Sequence, residues 1–130
     1  MGGFDGPGGI AISPKTGTVY VANDLSSTVS VISGKTNGVT TSIGFPDGNV
    51  GTEEVAVSPK TGNVYAEGVT NGGLVNDSAG TLWVISGQTN TVTGHVFITD
   101  GVTISEGAIS PRTGDVYSIG SANDVSVISG

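Results

Sequence analysis

The stretch Ala11-Ile12-Ser13-Pro14-Lys15-Thr16-Gly17-Thr18-Val19-Tyr20 decides the fold, because the chain contains it three times. It returns as Ala56-Val-Ser-Pro-Lys-Thr-Gly-Asn-Val-Tyr65 and as Ala108-Ile-Ser-Pro-Arg-Thr-Gly-Asp-Val-Tyr117, at spacings of 45 and 52 residues. A second block repeats behind it. Thr28-Val-Ser-Val-Ile-Ser-Gly34 matches Thr81-Leu-Trp-Val-Ile-Ser-Gly87 and Asp124-Val-Ser-Val-Ile-Ser-Gly130. Self-similarity at this period is the mark of a repeat architecture in which one supersecondary unit is stacked on the next.

Within each unit apolar residues alternate with small or polar ones, as in Val19-Tyr20-Val21-Ala22 and Val29-Ser30-Val31-Ile32. β-Branched residues dominate, which suits a pleated, half-buried surface. Ser-Pro-Lys-Thr-Gly reads as a hairpin connection. Pro14, Pro59 and Pro111 preset the turn, and Gly17, Gly62 and Gly114 supply the positive φ that rejoins the next strand. Ser33-Gly34-Lys35-Thr36-Asn37 and Ser86-Gly87-Gln88-Thr89-Asn90 are turns of the same grade. The pattern predicts strands at 10–13, 18–23, 28–33 and 38–44, then 54–58, 63–67, 81–86 and 91–98, then 106–110, 115–119 and 124–129. Four short antiparallel strands in about 40–50 residues is the period of a β-propeller blade. The expected fold is therefore all-β. Blade 1 covers about 8–45, blade 2 about 52–98 with an insertion at 69–80, and a partial blade 3 about 104–130.

Tyr20-Val21-Ala22-Asn23, flanked by the two repeated blocks, resembles the YVTN β-propeller repeat of surface-layer and secreted proteins. The resemblance runs from about Pro7 to Gly130 and is best in the first unit; Tyr65-Ala66-Glu67-Gly68 and Tyr117-Ser118-Ile119-Gly120 depart from it. It implies an extracellular or cell-surface setting. It also implies that the first strand of each blade lines a central channel.

The chain is 130 residues long, with 23 Gly, no Cys, 12% charged residues and a net charge of −7. Tight turns and close sheet packing account for the glycine. Absence of Cys excludes disulfides, thiolate metal sites and a Cys nucleophile. Lys15, Lys35, Lys60 and Arg112 are scattered, which argues against a nucleic-acid surface. No apolar run is long enough to span a membrane, and the first residues lack a signal-peptide pattern. Propellers close with about 4–8 blades. A chain of two complete units and a partial third is expected to be completed by further blades or by other copies of itself.

Candidate chemistry is sparse. Glu54 and Glu106 occupy one aligned position at the start of the innermost strand, and the resemblance turns both toward the channel as a metal or ligand pair. The insertion, with Asn71 and Asp77, and Trp83 are candidate contacts for a protein or glycan ligand, and Asn76-Asp77-Ser78 is a glycosylation sequon. Gly34-Lys35-Thr36 lacks the spaced glycine and the helix of a phosphate loop. His95, the single histidine, falls on an outermost strand as a surface or packing residue. With no nucleophile elbow and no cofactor motif, the expectation is a non-catalytic structural or interaction module. The alternative is a fragment of a larger propeller enzyme or ligand-binding propeller with its site in the channel.

Overall fold

The computed structural model describes residues 2–46, 50–71, 78–98, 106–119 and 125–130, with backbone alone at 50, 69–71, 78–79, 98 and 106. These residues form β1 (Pro7–Ile12), β2 (Val19–Asn23), β3 (Thr28–Ile32), β4 (Val39–Gly44), β5 (Val50–Val57), β6 (Val64–Asn71), β7 (Ser78–Ser86), β8 (Thr91–Ile98), β9 (Glu106–Ile109), β10 (Val116–Ile119) and β11 (Val125–Ile128). No helix occurs among the described residues. Each sheet is an antiparallel meander, β1-β2-β3-β4, β5-β6-β7-β8 and β9-β10-β11. The described residues make an all-β partial propeller of two four-stranded blades and one three-stranded blade.

Several strands run longer than the expected pattern, and β1 already opens at Pro7 rather than at 10. β5 starts at Val50 rather than near 54, because register shifts on either side of Thr52 let the strand continue as a bulged edge. Gly51, at φ 88°, supplies the conformation that a bulge requires. The insertion of the second unit is a hairpin extension rather than a loop throughout. β6 and β7 keep pairing through Val69↔Gly80, Thr70↔Ala79 and Asn71↔Ser78. Its tip, residues 72–77, lies outside the described residues.

The blades stack face to face, and alternation along each strand gives every blade a leading face and a trailing face. Tyr20, Ala22, Val29 and Val31 on the trailing face of blade 1 pack with Val55, Val64, Ala66, Trp83 and Ile85 of blade 2. Tyr65 and Leu82 on the trailing face of blade 2 pack with Val116, and Val84, Ile109 and Ile128 join them. The innermost strands β1, β5 and β9 contact one another in turn, as strands around a propeller axis do. Tyr20 Oη ties the first seam by donating to Asn90 Oδ1 at 3.2 Å.

One rim is built from a repeated clasp. The Ser-Pro-Lys/Arg-Thr-Gly turn closes with Gly17 N donating to Ser13 O at 2.8 Å, Gly62 N to Ser58 O at 2.8 Å and Gly114 N to Ser110 O at 2.9 Å. The glycine after the third strand of each blade lies hard against this turn. A Cβ on Gly34, Gly87 or Gly130 would collide with the carbonyl oxygen of Gly17, Gly62 or Gly114 respectively. Along the same rim Lys15 Nζ donates to the Lys60 carbonyl at 2.6 Å, and Lys60 Nζ donates to the Thr113 carbonyl at 2.7 Å. Each blade thus hands one cationic hydrogen bond to the turn of the next.

Candidate functional site

The one buried carboxylate among the described residues sits in the seam between blades 2 and 3. Glu67 of β6 lies directly across from Glu54 of β5 and Leu82 of β7. Cross-strand partners share a face of the sheet, so Glu67 points with Leu82 toward blade 3. It is only 3% exposed. It fits because the facing residue is glycine: a Cβ on Gly107 would stand 2.9 Å from Glu67 Oε1. At the aligned positions of the first seam, Ala22 and Val55 are both buried and apolar. The second seam therefore exchanges an Ala–Val pair for a Glu–Gly pair.

Burial pushes the Glu67 pKa up to about 7; the Ser118 hydroxyl counteracts this, and the neighbouring Glu54 carboxylate adds to the rise. The Ser118 contact falls short of a well-formed hydrogen bond, since both Glu67 Oε2 and Ser118 Oγ stand without a partner. A buried, unpaired polar atom costs roughly 1–3 kcal/mol. The site can take up or release a proton near neutrality, or present a carboxylate to a cation. Glu54 is half-buried at the axial end, packed so that a Cβ on Gly9 would meet its Oε1 at 3.0 Å. No group of three or more acidic or histidine side chains is placed to hold a metal among the described residues.

The predicted residues are distributed as follows. Glu106 opens β9 opposite Ile119, next to Gly107, and its side chain is not among those described. Asn71 ends β6, and its side chain is likewise not described; Asn76 and Asp77 fall outside the described residues altogether. Trp83 is 1% exposed, stacked on Phe45 at 5.1 Å between ring centres and followed by His95 at 5.1 Å and Phe97 at 4.7 Å beyond. In this chain it is a core residue. Glu67 was not singled out from the sequence, where it registers only as a departure from the family signature. The usable signal is a double one: Glu67 replaces the Ala22 of unit one just where Gly107 replaces Ile10 and Val55.

Both ends of the array carry open apolar faces. Tyr117 is 39% exposed, whereas Tyr65 at the same place in blade 2 is 5% exposed. Gly107, Ala108, Tyr117, Ile119 and Val125 line a hollow of about 230 Å³ on this trailing face. On the leading face of blade 1, Ile10 and Ile12 are 65% and 61% exposed.

No protein-family model matches the chain, and no curated protein does. Solved structures do match. Hydrazine synthase of Kuenenia stuttgartiensis superposes with a TM-score of 0.68 at 20% identity, over 95% of this chain and 37% of that one. The WD40 β-propeller domain of Doa1 gives 0.64 at 12% identity, over 85% and 32%. The PQQ-bound aldose sugar dehydrogenase of Streptomyces coelicolor gives 0.61 at 18% identity, over 93% and 39%. The chain thus spans less than two fifths of the length of these neighbours. Likeness at such identities is likeness of fold. It supports a propeller and stops short of the YVTN family. It also corrects the expectation of a chain that is not an enzyme, since two of these neighbours are enzymes. The missing motif was a poor guide, because stacked blades can assemble a site from residues far apart in sequence, leaving no local signature. The chain is a partial β-propeller, about three blades of a fold that it shares with two enzymes and a WD40 domain.

Proposed function

We propose that the chain works as a propeller segment completed by further blades on its two open faces, in a cell-surface or secreted protein of YVTN type. The surface setting follows from the YVTN resemblance. One observation supports the association: Tyr117 is exposed where Tyr20 and Tyr65, its equivalents, are each buried by the following blade. Terminal faces of a stacked array need covering, because each unit buries its apolar face only on its neighbour. The test is a tandem polypeptide of two copies joined by an about ten-residue Gly/Ser linker, long enough to recross the blade. Its unfolding midpoint should exceed that of the single chain, and binding of an apolar dye per copy should fall. An unchanged midpoint with unchanged dye binding would sink the reading.

A second reading is favoured by Glu67. Its unpartnered Oε2 beside Glu54 supports a ligand site at the axial end of the second seam, taking a small cation. Calcium, magnesium and sodium are titrated singly at pH 8 while the melting temperature is followed. A rise lost in Glu67→Gln supports the site, and no rise with any of the three removes it.

A further inference from the structure

We propose that the clasp rim is a docking surface for an acidic polysaccharide, a hydroxyl-rich chain that repeats a carboxylate or sulfate group along its length. This surface is separate from the open blade faces and from the seam that holds Glu67.

In sequence the four cationic side chains lie far apart, at positions 15, 35, 60 and 112. Folding brings all four to one rim. Each sits in a connection between strands that end there: β1–β2, β3–β4, β5–β6 and β9–β10. The fifth such connection, β7–β8, holds Gln88 in the place that Lys35 takes in blade 1. Lys15, Lys35, Lys60, Gln88 and Arg112 are all exposed, and each is followed by an exposed threonine. The rim is thus a row of long donor side chains, each beside a hydroxyl. Of the eleven acidic residues only Asp115 falls on these turns, and its Oδ1 already accepts from Gly130 N at 3.2 Å.

Two of the cations are held in place. Lys15 Nζ and Lys60 Nζ each direct one donor to a carbonyl of the next blade. The Lys60 stem lies along the following turn, where a Cβ on Gly114 would meet its Cδ at 3.3 Å. An ammonium has three donors, so more remain on each for a ligand. A side chain already fixed loses less freedom on binding. The hand-off runs from blade to blade, so the held charges step along the rim at the spacing of the blades. Such a row suits a chain that repeats its own charge. The hydroxyls and the Gln88 amide choose among polyanions. Sugar hydroxyls both give and accept hydrogen bonds, as threonine and glutamine side chains do. Single-stranded nucleic acid stacks its bases on aromatic side chains, and these turns carry none. A lipid surface is gripped by apolar residues beside the charges, and the turns hold no Leu, Ile, Val or Met. The acidic remainder of the chain repels a polyanion, which leaves this rim as its approach.

Calorimetric titration of the 130-residue chain with polygalacturonate at low salt tests this, with poly-L-glutamate, duplex DNA and phosphatidylserine vesicles titrated in parallel. The expected result is binding to polygalacturonate that exceeds binding to the other three and is lost as salt approaches about 0.5 M. Lys35→Gln and Arg112→Gln, both on exposed turns, should each weaken it by on the order of fivefold with the circular dichroism unchanged. Adding Asp5→Asn, away from these turns, to Lys35→Gln restores the net charge without restoring the rim, so the weakening should persist. Four results overturn the proposal. They are no binding to polygalacturonate, equal or tighter binding to one of the other three probes, unchanged affinity in both single variants, or recovery of affinity in the double variant. The second would assign the rim to that other class of partner, and the last would reduce the effect to overall charge.

Discussion

The two seams of this molecule share one backbone plan and differ in chemistry. The first is built on an apolar cluster, with Ala22 and Val55 at its inner end and Trp83 stacked on Phe45 in its middle, and one hydrogen bond from Tyr20 to Asn90. The second holds Glu67 over Gly107 at the same inner position and a smaller apolar cluster around Tyr65, Leu82 and Val116. The difference teaches that a repeat fixes where side chains meet but not what they do there. A seam tolerates a carboxylate if the facing blade removes its own side chain to make room. The cost is a desolvated acid, and it makes the second seam sensitive to pH near neutrality.

Five experiments break or sharpen this contrast. Trp83→Ala should be the most damaging, at about 3–5 kcal/mol, because it empties the centre of the first seam; denaturant unfolding measures it. Gly107→Val should cost about 1–3 kcal/mol by driving a side chain into the Glu67 carboxyl. Combined with Glu67→Ala it reproduces the pair found in the first seam, so the double variant should recover most of that loss. A double-mutant cycle without coupling would show that the two positions do not share space.

The third experiment concerns pH. Glu67 has its folded pKa raised, from 4.5 to about 7. The folded state therefore holds the proton more tightly than the unfolded chain. Stability attached to that proton is fully present below about 4.5, declines as pH rises toward 7, and is lost above it. Glu67→Gln should match the parent protein near pH 4 and exceed it at pH 8 by on the order of 2–3 kcal/mol. Equal stability at pH 8 would show that the carboxyl reaches solvent. Tyr20→Phe should cost less, about 0.5–1.5 kcal/mol for the hydrogen bond to Asn90, read by denaturant unfolding. Tyr117→Phe, on an open face, should fall within about 0.5 kcal/mol of zero in the monomer.

Much of the fold was legible in the residues. The repeated Ser-Pro-Lys/Arg-Thr-Gly turn and the alternating Val-Ser-Val-Ile block place most of the strands, because turn chemistry and period-two burial are local signals. The early start of β5 was not legible, since a bulge at Gly51 leaves no periodic trace. The site was less legible still. Glu54 and Glu106 were found by alignment of the repeats, yet Glu67 is the carboxylate that folding buries. Its partner Gly107 is 40 residues away, and only stacking of the blades brings the two together. Trp83 read as a possible contact surface in sequence, whereas Phe45 from the preceding blade covers it.

The clasp of glycine against glycine carbonyl divides the labour between the two rims. On the clasp rim a lengthened turn would pull Gly62 from Gly87 and break the hand-off from Lys15. On the far rim the β6–β7 hairpin already runs beyond its counterparts in the other blades, at the modest loop-closure cost that longer connections carry. Length variation is therefore channelled to one side of the array. A lineage of such blades can lengthen and rewrite its far-rim hairpins while the clasp rim keeps every new unit in register.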